Sequence, residues 1–255
     1  MSGCEGYSAI AQVYDKLNKD IDYSAWADFF EECFGRFLTQ KPQIVLDLAC
    51  GTGRMTRELS ARGYDMIGVD GSMDMLGEAY SAGTEGILYL LQDMRELDLY
   101  GTVGATVCCL DSLNYLLEEN DLAKVFALVH NYSDPDGLFM FDMNSQYKFE
   151  KIYADNSYIL EDEGDDKEAI FCGWQNYYDK DTRICDFYLS VFTEDEDGAY
   201  IRQDEHQRER CYSLSQIEKA LGESGFELLG IYSGFGFEQI NENTERWYFV
   251  ARAKK

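Results

Sequence analysis

An aspartate placed four residues before the first of two glycines is the most informative group of residues in the sequence. Asp47 precedes Gly51 and Gly53 in the run Asp-Leu-Ala-Cys-Gly-Thr-Gly. Glycines between a strand and a helix can take backbone angles closed to other residues, and they leave bare peptide for a ligand. Asp47 would repel a pyrophosphate and suits a cationic ligand. The segment therefore predicts a site for a positively charged cofactor that contains a nucleoside.

A second aspartate extends this interpretation. Asp70 closes the apolar stretch 65–69, about twenty residues after the glycines, where a carboxylate can accept both hydroxyls of a ribose. A dinucleotide fingerprint would have a third glycine at the position that Thr56 occupies. An NAD-dependent oxidoreductase, the alternative enzyme class, is therefore disfavoured.

The chain resembles the class I S-adenosylmethionine-dependent methyltransferases, whose first motif is an acid, a few small residues and G-x-G, followed by an acid that ends the second strand. The similarity continues at 14–17 and 22–26, which resemble the N-terminal helical segment of a bacterial subgroup, and at 92–94 and 110–115. It implies S-adenosylmethionine as cofactor, S-adenosylhomocysteine as product, and methyl transfer by in-line displacement to a nitrogen or oxygen atom. A non-catalytic protein that binds this cofactor is the second alternative.

By this resemblance, residues at the ends of several strands would bind the cofactor. The set is Tyr14, Asp47, Ala49, Gly51, Gly53, Asp70, Gly71, Ser72, Met73, Asp93, Met94, Leu110 and Asp111. Tyr14 would come from a segment that folds over the cofactor, with simple packing as its alternative. Asp93 and the backbone of Met94 would bind the adenine, and Met73 would flank it.

Three side chains are the catalytic candidates. Transfer from an activated sulfonium needs alignment and exclusion of water more than bond-making by the protein. Asp111 and Tyr115, with Asn114, follow the fourth strand, near the expected transfer point. His206 is the candidate base, sharing a strand face with Asp204, although a surface histidine is the alternative. No Asn- or Asp-Pro-Pro-aromatic motif follows the fourth strand, which disfavours base amines of nucleic acid as acceptors.

Alternating elements must position these residues. The strands are expected at 44–48, 65–69, 87–91, 105–110 and 137–142, and the helices at 54–62, 72–81 and 120–132. An aromatic stripe predicts a helical region at 8–38. With last strands at 226–232 and 246–253, the fold class is α/β. The resemblance implies a Rossmann-like, doubly wound, seven-stranded, mostly parallel sheet with an antiparallel last strand.

Residues 144–211 interrupt the alternation. Aromatic and β-branched residues predict strands at 157–160, 169–178, 183–192 and 199–210, which form a small inserted antiparallel sheet. The expected division is a cofactor-binding domain of 1–143 and 212–255, with a helical lid at 1–40, and an inserted subdomain at 144–211. Since open α/β sheets bind ligands beside the carboxyl ends of their strands, the insertion is the expected substrate lid.

Composition narrows the partners. The chain has 22 basic and 48 acidic side chains and a net charge of −26, which disfavours nucleic acid and favours a small-molecule substrate. The acidic runs 161–166 and 194–197 are expected to be solvated loops. Eight cysteines without a C-x-x-C pair predict buried free thiols and no metal site. With no long apolar stretch, we expect no membrane contact and a cytoplasmic protein; the sequence does not indicate an oligomeric state.

Overall fold

The computed structural model describes residues 10–162, 169–195 and 197–255. Six α-helices are described, and they are α1 (Tyr14–Leu17), α2 (Tyr23–Phe37), α3 (Arg54–Ala61), α4 (Met73–Ala82), α5 (Glu119–Tyr132) and α6 (Leu214–Glu223). The described strands are β1 (Ile44–Leu48), β2 (Asp65–Asp70), β3 (Ile87–Leu91), β4 (Val103–Cys108), β5 (Ser133–Asn144), β6 (Ser157–Asp162), β7 (Ile170–Asp179), β8 (Ile184–Glu194), β9 (Tyr200–Arg210), β10 (Phe226–Tyr232) and β11 (Arg246–Ala253).

Seven strands form one sheet in the order β10-β11-β5-β4-β1-β2-β3. Strand β11 runs antiparallel to β10 and β5, and the remaining pairs are parallel. The parallel strands are apolar because helices cover both faces of the sheet, and β1 is buried along most of its length. The predicted fold class is confirmed. The carboxyl ends of β1, β2 and β4 meet at one edge, where the predicted site residues follow them.

Four strands form a second, antiparallel sheet in the order β6-β7-β8-β9, which confirms the predicted inserted sheet. Alternate side chains of β9 are buried although they are polar, namely Glu205, Gln207 and Glu209. The face that carries them is called the inner face here, and it lies over the short 3-10 turn Ser112–Tyr115 that follows β4. The inserted sheet therefore presents polar groups to the carboxyl end of the larger sheet.

The N-terminal region differs from the predicted single helical region. A 3-10 turn at Ala11–Val13 and the single turn of α1 precede α2, and residues 18–22 separate the helices. Asp22 starts α2 by accepting a hydrogen bond from the Ala25 N–H at 2.9 Å. The prediction of one continuous helix was wrong, because Asp22 caps the start of α2 and residues 20–22 lack the apolar spacing of a helix. Positions 8 and 9 of that prediction lie outside the described residues.

The end of β4 was also predicted wrongly. The strand stops at Cys108 instead of residue 110, and Leu110 and Asp111 have left-handed backbones with φ of 58° and 54°. Apolar residues past the strand suggested a continuation, but the chain turns sharply there. Further along, β5 begins at Ser133 instead of residue 137, and residues 134–137 form a bulge within it. The sharp turn places Asp111 beside β5.

Other sequence predictions concern cysteines, loops and membranes. The seven cysteines in the described ranges are buried free thiols, as predicted, and Cys4 lies outside these ranges. Residues 163–166 and 196 of the two acidic runs are likewise outside them. None of the described helices has the length and apolar character needed to cross a bilayer.

Candidate active site

The glycine loop between β1 and α3 is bare backbone pressed against a tyrosine. Gly51 and Gly53 have positive φ of 55° and 74°, and Ala49 adopts 61° despite its methyl group. A Cβ on Gly53 would lie 2.3 Å from the hydroxyl oxygen of Tyr89, so no larger residue fits without a shift. Left-handed backbone at a non-glycine residue costs free energy and clusters at functional sites. The loop is a cradle that a side chain would fill.

Asp70 at the end of β2 holds this loop to the next strand. Its Oδ2 accepts from the Gly51 N–H at 2.7 Å, and its Oδ1 accepts from the Ser72 N–H at 2.8 Å. Ser72 caps α4 by accepting from the Met75 N–H. Burial raises the pKa of Asp70, while backbone donors, Gly71 included, act in the opposite direction. A carboxylate oxygen can accept more than one hydrogen bond, so both oxygens retain capacity for ribose hydroxyls.

Asp47 is 1% exposed and accepts a hydrogen bond from the Thr56 hydroxyl at 2.5 Å. Burial, together with the nearby charge of Asp70, raises the pKa of Asp47 to about 7. Thr56 stands where a dinucleotide-binding turn has its third glycine. The hydroxyl at that position binds the acid of the motif, a role that spacing alone did not reveal.

The N-terminal segment covers the glycine loop. A cavity beside the loop is lined in part by Tyr14, Tyr23, Asp47, Ala49, Leu110 and Ser112. The Thr52 hydroxyl donates to Asp15 at 2.7 Å, and Lys19 pairs with Asp162 of β6 at 2.9 Å. Residues around α1 thus contact both the cofactor loop and the edge of the inserted sheet. Tyr14 itself lines the cavity beside the glycine loop.

The residues predicted for the adenine lie along the same edge. Asp93 follows β3, beside Asp70, whose carbonyl accepts from the Gln92 N–H at 3.0 Å. The Arg95 side chain binds Asp93 through two nitrogens and holds the pKa of that carboxyl below its ordinary value. Met94 is half-buried, and Met73 at the start of α4 is 71% exposed. Asp93 therefore already has a partner, which sequence spacing could not indicate.

Asp111 belongs to a group of polar residues that we call the carboxyl cluster. Its Oδ1 lies 2.7 Å from Arg246 Nη2, and its Oδ2 accepts from Asn144 Nδ2 at 2.9 Å. The backbone N–H of Asp111 donates to Asp142 Oδ2 at 2.9 Å, and Arg246 also binds Asp142. Asn144 Nδ2 further donates to Glu209 Oε2 at 3.0 Å. The cluster therefore joins β5, β9 and β11 to the end of β4.

Charge separates the acids of the cluster. Burial opposes ionisation of Asp111, but the charges of Arg246 and Lys148 outweigh it and hold its pKa below the ordinary value. Burial and the charge of Asp111 raise the pKa of Glu209 well above its ordinary value. Burial likewise raises the pKa of Asp142 and lowers that of Lys148. Neighbouring carboxyl groups whose pKa values diverge are typical of acid–base sites.

The sequence prediction missed four members of this cluster, namely Asp142, Asn144, Glu209 and Arg246. They come from strands far apart in the chain, so no local spacing connects them with Asp111. The sequence held two weak signals for these residues. Asp142 and Asn144 are polar residues at the end of the apolar strand β5, and Glu209 lies in the polar strand β9, which follows strands rich in aromatic residues. Neither is specific.

Tyr115 and Asn114 bind the inserted sheet. The Tyr115 hydroxyl donates to Gln207 Oε1 at 2.8 Å, and Asn114 Nδ2 donates to the Arg210 carbonyl at 2.8 Å. Asn114 Oδ1 also accepts from the Asn144 N–H at 3.0 Å. Both side chains lie close to the carboxyl cluster, and they hold β9 over the end of β4.

His206 is not brought to this site. It lies on the exposed face of β9, opposite the inner face, and its Nε2 is 2.7 Å from Asp186 Oδ1. Its ring stacks on Tyr188 with centroids 4.5 Å apart. The predicted shared face with Asp204 is present, but it points to solvent because side chains alternate along a strand. We leave His206 out of the proposed site.

Comparisons with known proteins agree with this geometry. A family model described as a methyltransferase domain matches residues 45–137. A Geobacillus sp. (strain WCH70) protein provisionally named a methyltransferase is 33% identical over 96% of this chain and 99% of its own length. A Bacillus subtilis (strain 168) protein, also provisionally named a methyltransferase, is 32% identical over 98% of both chains. A crystal structure of an S-adenosylmethionine-dependent methyltransferase from Clostridium acetobutylicum is 31% identical, with a TM-score of 0.84 over 96% of this chain and 98% of that one.

The chain belongs to the class I S-adenosylmethionine-dependent methyltransferases and is an enzyme of this class with S-adenosylmethionine as its cofactor. Shorter matches include a glycine/sarcosine N-methyltransferase from Parasynechococcus marenigrum, 27% identical over 64% of this chain and 58% of that protein. A dTDP-3-amino-3,4,6-trideoxy-alpha-D-glucopyranose N,N-dimethyltransferase from Streptomyces venezuelae is 29% identical over 57% of this chain and 60% of that protein.

The residues around the glycine loop fit this cofactor. Gly51 and Gly53 leave a cradle that a Cβ would fill, and Asp70 stands at its edge with capacity for ribose hydroxyls. Asp47 is a buried acid below the loop, suited to the amino group of the cofactor directly or through water. Tyr14 lines the cavity beside the loop. When bound, S-adenosylmethionine supplies a methyl group activated by a sulfonium.

Proposed function

We propose that this enzyme methylates an amine nitrogen of a small molecule. The carboxyl cluster carries the proposal, because it puts an excess of acceptor groups at the end of β4, beside the cavity of the glycine loop. In the part of the chain that the structure describes, its acids Asp111, Asp142 and Glu209 lie with two cationic side chains, Arg246 and Lys148. A protonated amine entering here would bring N–H donors to these carboxyl groups.

The carboxyl cluster also contains hydrogen-bond acceptors that have no donor among the described residues. Asp142 Oδ1 and Asn144 Oδ1 are buried and accept no hydrogen bond from any residue that the structure describes. A buried acceptor without a donor costs about 1–3 kcal/mol. An ammonium group carries up to three N–H donors, whereas a hydroxyl or a carboxylate acceptor would bring one or none. The cluster is therefore better suited to a nitrogen nucleophile than to an oxygen one.

Relatives and overall charge support the same choice. The glycine/sarcosine and amino-sugar enzymes reported above act, by their names, on nitrogen atoms of small molecules. The net charge of −26 favours approach of a cation and disfavours a nucleic acid. A small amine is the acceptor class that agrees with all of these observations.

The remaining contribution of the chain is alignment. We expect Asp47 and Asp70 to hold one reactant beside Tyr14, which lines the cavity, and the carboxyl cluster to hold the acceptor. The N-terminal segment would keep water out of the site because it is held at two points. Asp15 contacts Thr52 of the glycine loop, and Lys19 contacts Asp162 of β6. Positioning of this kind can supply roughly 7–11 kcal/mol of the barrier.

A labelled-methyl transfer screen tests the proposal. Purified enzyme and methyl-labelled S-adenosylmethionine are incubated with separate pools of small primary and secondary amines, alcohols, phenols and carboxylic acids, and products are identified by mass. We expect label in the amine pools alone, and about tenfold less label with Asp70→Ala at limiting cofactor. Label confined to hydroxyl or carboxyl pools would overturn the nitrogen assignment.

A further inference from the structure

We infer that Glu209 is the base that takes a proton from the ammonium form of the acceptor. The inference rests on the amine acceptor proposed above and adds a catalytic group to it. An ammonium has no lone pair, so it must lose a proton before its nitrogen can attack a methyl group. Glu209 lies in the carboxyl cluster on the inner face of β9, where it can receive that proton.

Glu209 is held at one oxygen and open at the other. It is 4% exposed, on the inner face of β9, and its Oε2 accepts from Asn144 Nδ2 at 3.0 Å. Among the residues that the structure describes, none donates a hydrogen bond to Oε1. The same Asn144 amide donates to Asp111 Oδ2, which places the two carboxyl groups on either side of one side chain. A cation between them would reach both acids.

The groups around Glu209 explain why it suits a proton acceptor. Asp111 lies across Asn144, Lys148 and Arg246 supply positive charge, and Tyr153 and Cys185 face it from the next elements. Burial and the charge of Asp111 raise the pKa of Glu209, whereas Lys148 and Arg246 lower it. A general base works best when its pKa lies near the working pH, and an ordinary glutamate is too acidic.

The proposed step moves one proton from the ammonium to Glu209. The ammonium gives one N–H proton to the ionised Glu209 Oε1, the electron pair of that bond stays on nitrogen, and Glu209 becomes a neutral acid. Two buried charges thereby become two neutral groups, which burial favours. The nitrogen lone pair is then available to the methyl group, and Asp111 remains ionised through Arg246 and stabilises the cationic product.

The pH dependence of turnover tests this role. With a saturating amine from the screen, Glu209→Gln is expected to lower kcat at pH 7 by roughly 10²–10⁴-fold with little change in KM for the cofactor. The loss should shrink as the pH approaches the pKa of the acceptor amine, since a neutral amine needs no base. The matched control is Glu205→Gln, on the same face of β9 but bonded to Gln207, and it should keep the wild-type profile.

A second measurement does not depend on turnover. Infrared spectra of the cofactor-free protein across a pH titration should contain a carbonyl band of a protonated carboxylic acid that persists above the ordinary range for glutamate. The part of this band that comes from Glu209 should be missing in Glu209→Gln and present in Glu205→Gln, while the part from other buried acids such as Asp47 remains in both variants. The difference between the two spectra reports the state of Glu209 even if the variant turns over slowly.

Each contrary outcome has a separate meaning. If Glu209→Gln loses the same factor of kcat at every pH, or loses none, the inference is overturned while the amine acceptor stands. If Lys148→Met, and not Glu209→Gln, shows a loss of kcat that recovers at high pH, then Lys148 is the base and the inference fails. If the screen labels no amine, the proposed function fails first, and the ammonium step falls with it.

Discussion

The cofactor side and the proposed acceptor side of this enzyme are built differently. On the cofactor side, bare glycine backbone and three acids follow consecutive strands of one sheet, and each acid binds groups within about twenty residues of itself. On the acceptor side, Asp111 meets Asp142, Asn144, Glu209 and Arg246, which lie 31 to 135 positions further along the chain. The cofactor side is built from residues that are close in the sequence, whereas the other side is built from residues that are far apart in the sequence.

The contrast shows where each site gets its stability and its specificity. Local backbone geometry suits a cofactor that many enzymes share, since strand ends and a turn suffice to form it. The proposed acceptor side depends on two sheets being packed correctly, and its buried charges must compensate one another. Four substitutions test this contrast, in order of decreasing expected effect.

Removal of the cluster's arginine should have the largest effect. Arg246→Met leaves Asp111 and Asp142 without their shared cation, and breaking a buried pair costs about 3–5 kcal/mol. We expect about 3 kcal/mol, because the Arg246 side chain keeps 21% exposure. Urea denaturation measures the change. Lys254→Met, which removes a surface pair with Glu227, should cost less than about 0.5 kcal/mol, and equal losses in both variants would contradict the contrast.

Asp47→Asn should change stability in a pH-dependent way. The folded pKa of Asp47 is raised from 3.8 to about 7, so wild-type stability falls as the pH rises between these values and is level above. The variant loses this dependence but buries an amide nitrogen. We expect it to be less stable than wild type near pH 4 and more stable by about 2 kcal/mol above pH 7.

The measurement for Asp47→Asn is unfolding by urea at several pH values between 4 and 9. Asp65→Asn, an exposed acid at the opposite end of β2, is the control and should give no crossing of the two stability curves. A variant that stays less stable than wild type over the whole range would show that the buried acid is ionised without penalty.

Asp70→Ala should weaken binding of S-adenosylhomocysteine by about tenfold or more, since each charge-assisted hydrogen bond contributes about 1.5 kcal/mol or above. The substitution also frees the Gly51 N–H that Asp70 binds. Calorimetry measures the affinity. The control is Asp65→Ala, at the opposite end of the same strand, and it should bind the ligand as tightly as the wild type does. Unchanged affinity would remove Asp70 from the ribose site.

His206→Ala should have the smallest effect. Its side chain is 46% exposed on the face of β9 turned away from the cluster, so we expect kcat within about twofold of wild type and stability within about 0.5 kcal/mol. A loss of activity beyond tenfold at unchanged stability would mean that the outer face of the inserted sheet contributes to catalysis.

The order of strands and most of their bounds were predictable, because apolar strands and amphipathic helices alternate with clear periods. Strands β10 and β11 were predicted at the residues where they occur. The end of β4 was not, since Leu110 is apolar and nothing local indicates its left-handed turn. The role of His206 stayed open between base and surface residue, because alternation gives the two faces of a strand but not which face is covered.

The sequence by itself determined the fold class and the cofactor, because Asp47, the two glycines and Asp70 act through strand ends and a turn that neighbouring residues specify. Only the tertiary structure decided the acceptor side. Glu209 and Arg246 reach Asp111 through the packing of separate strands, and burial there alters their ionisation. Burial and long-range contacts arise only after folding, so residue spacing carries no record of them.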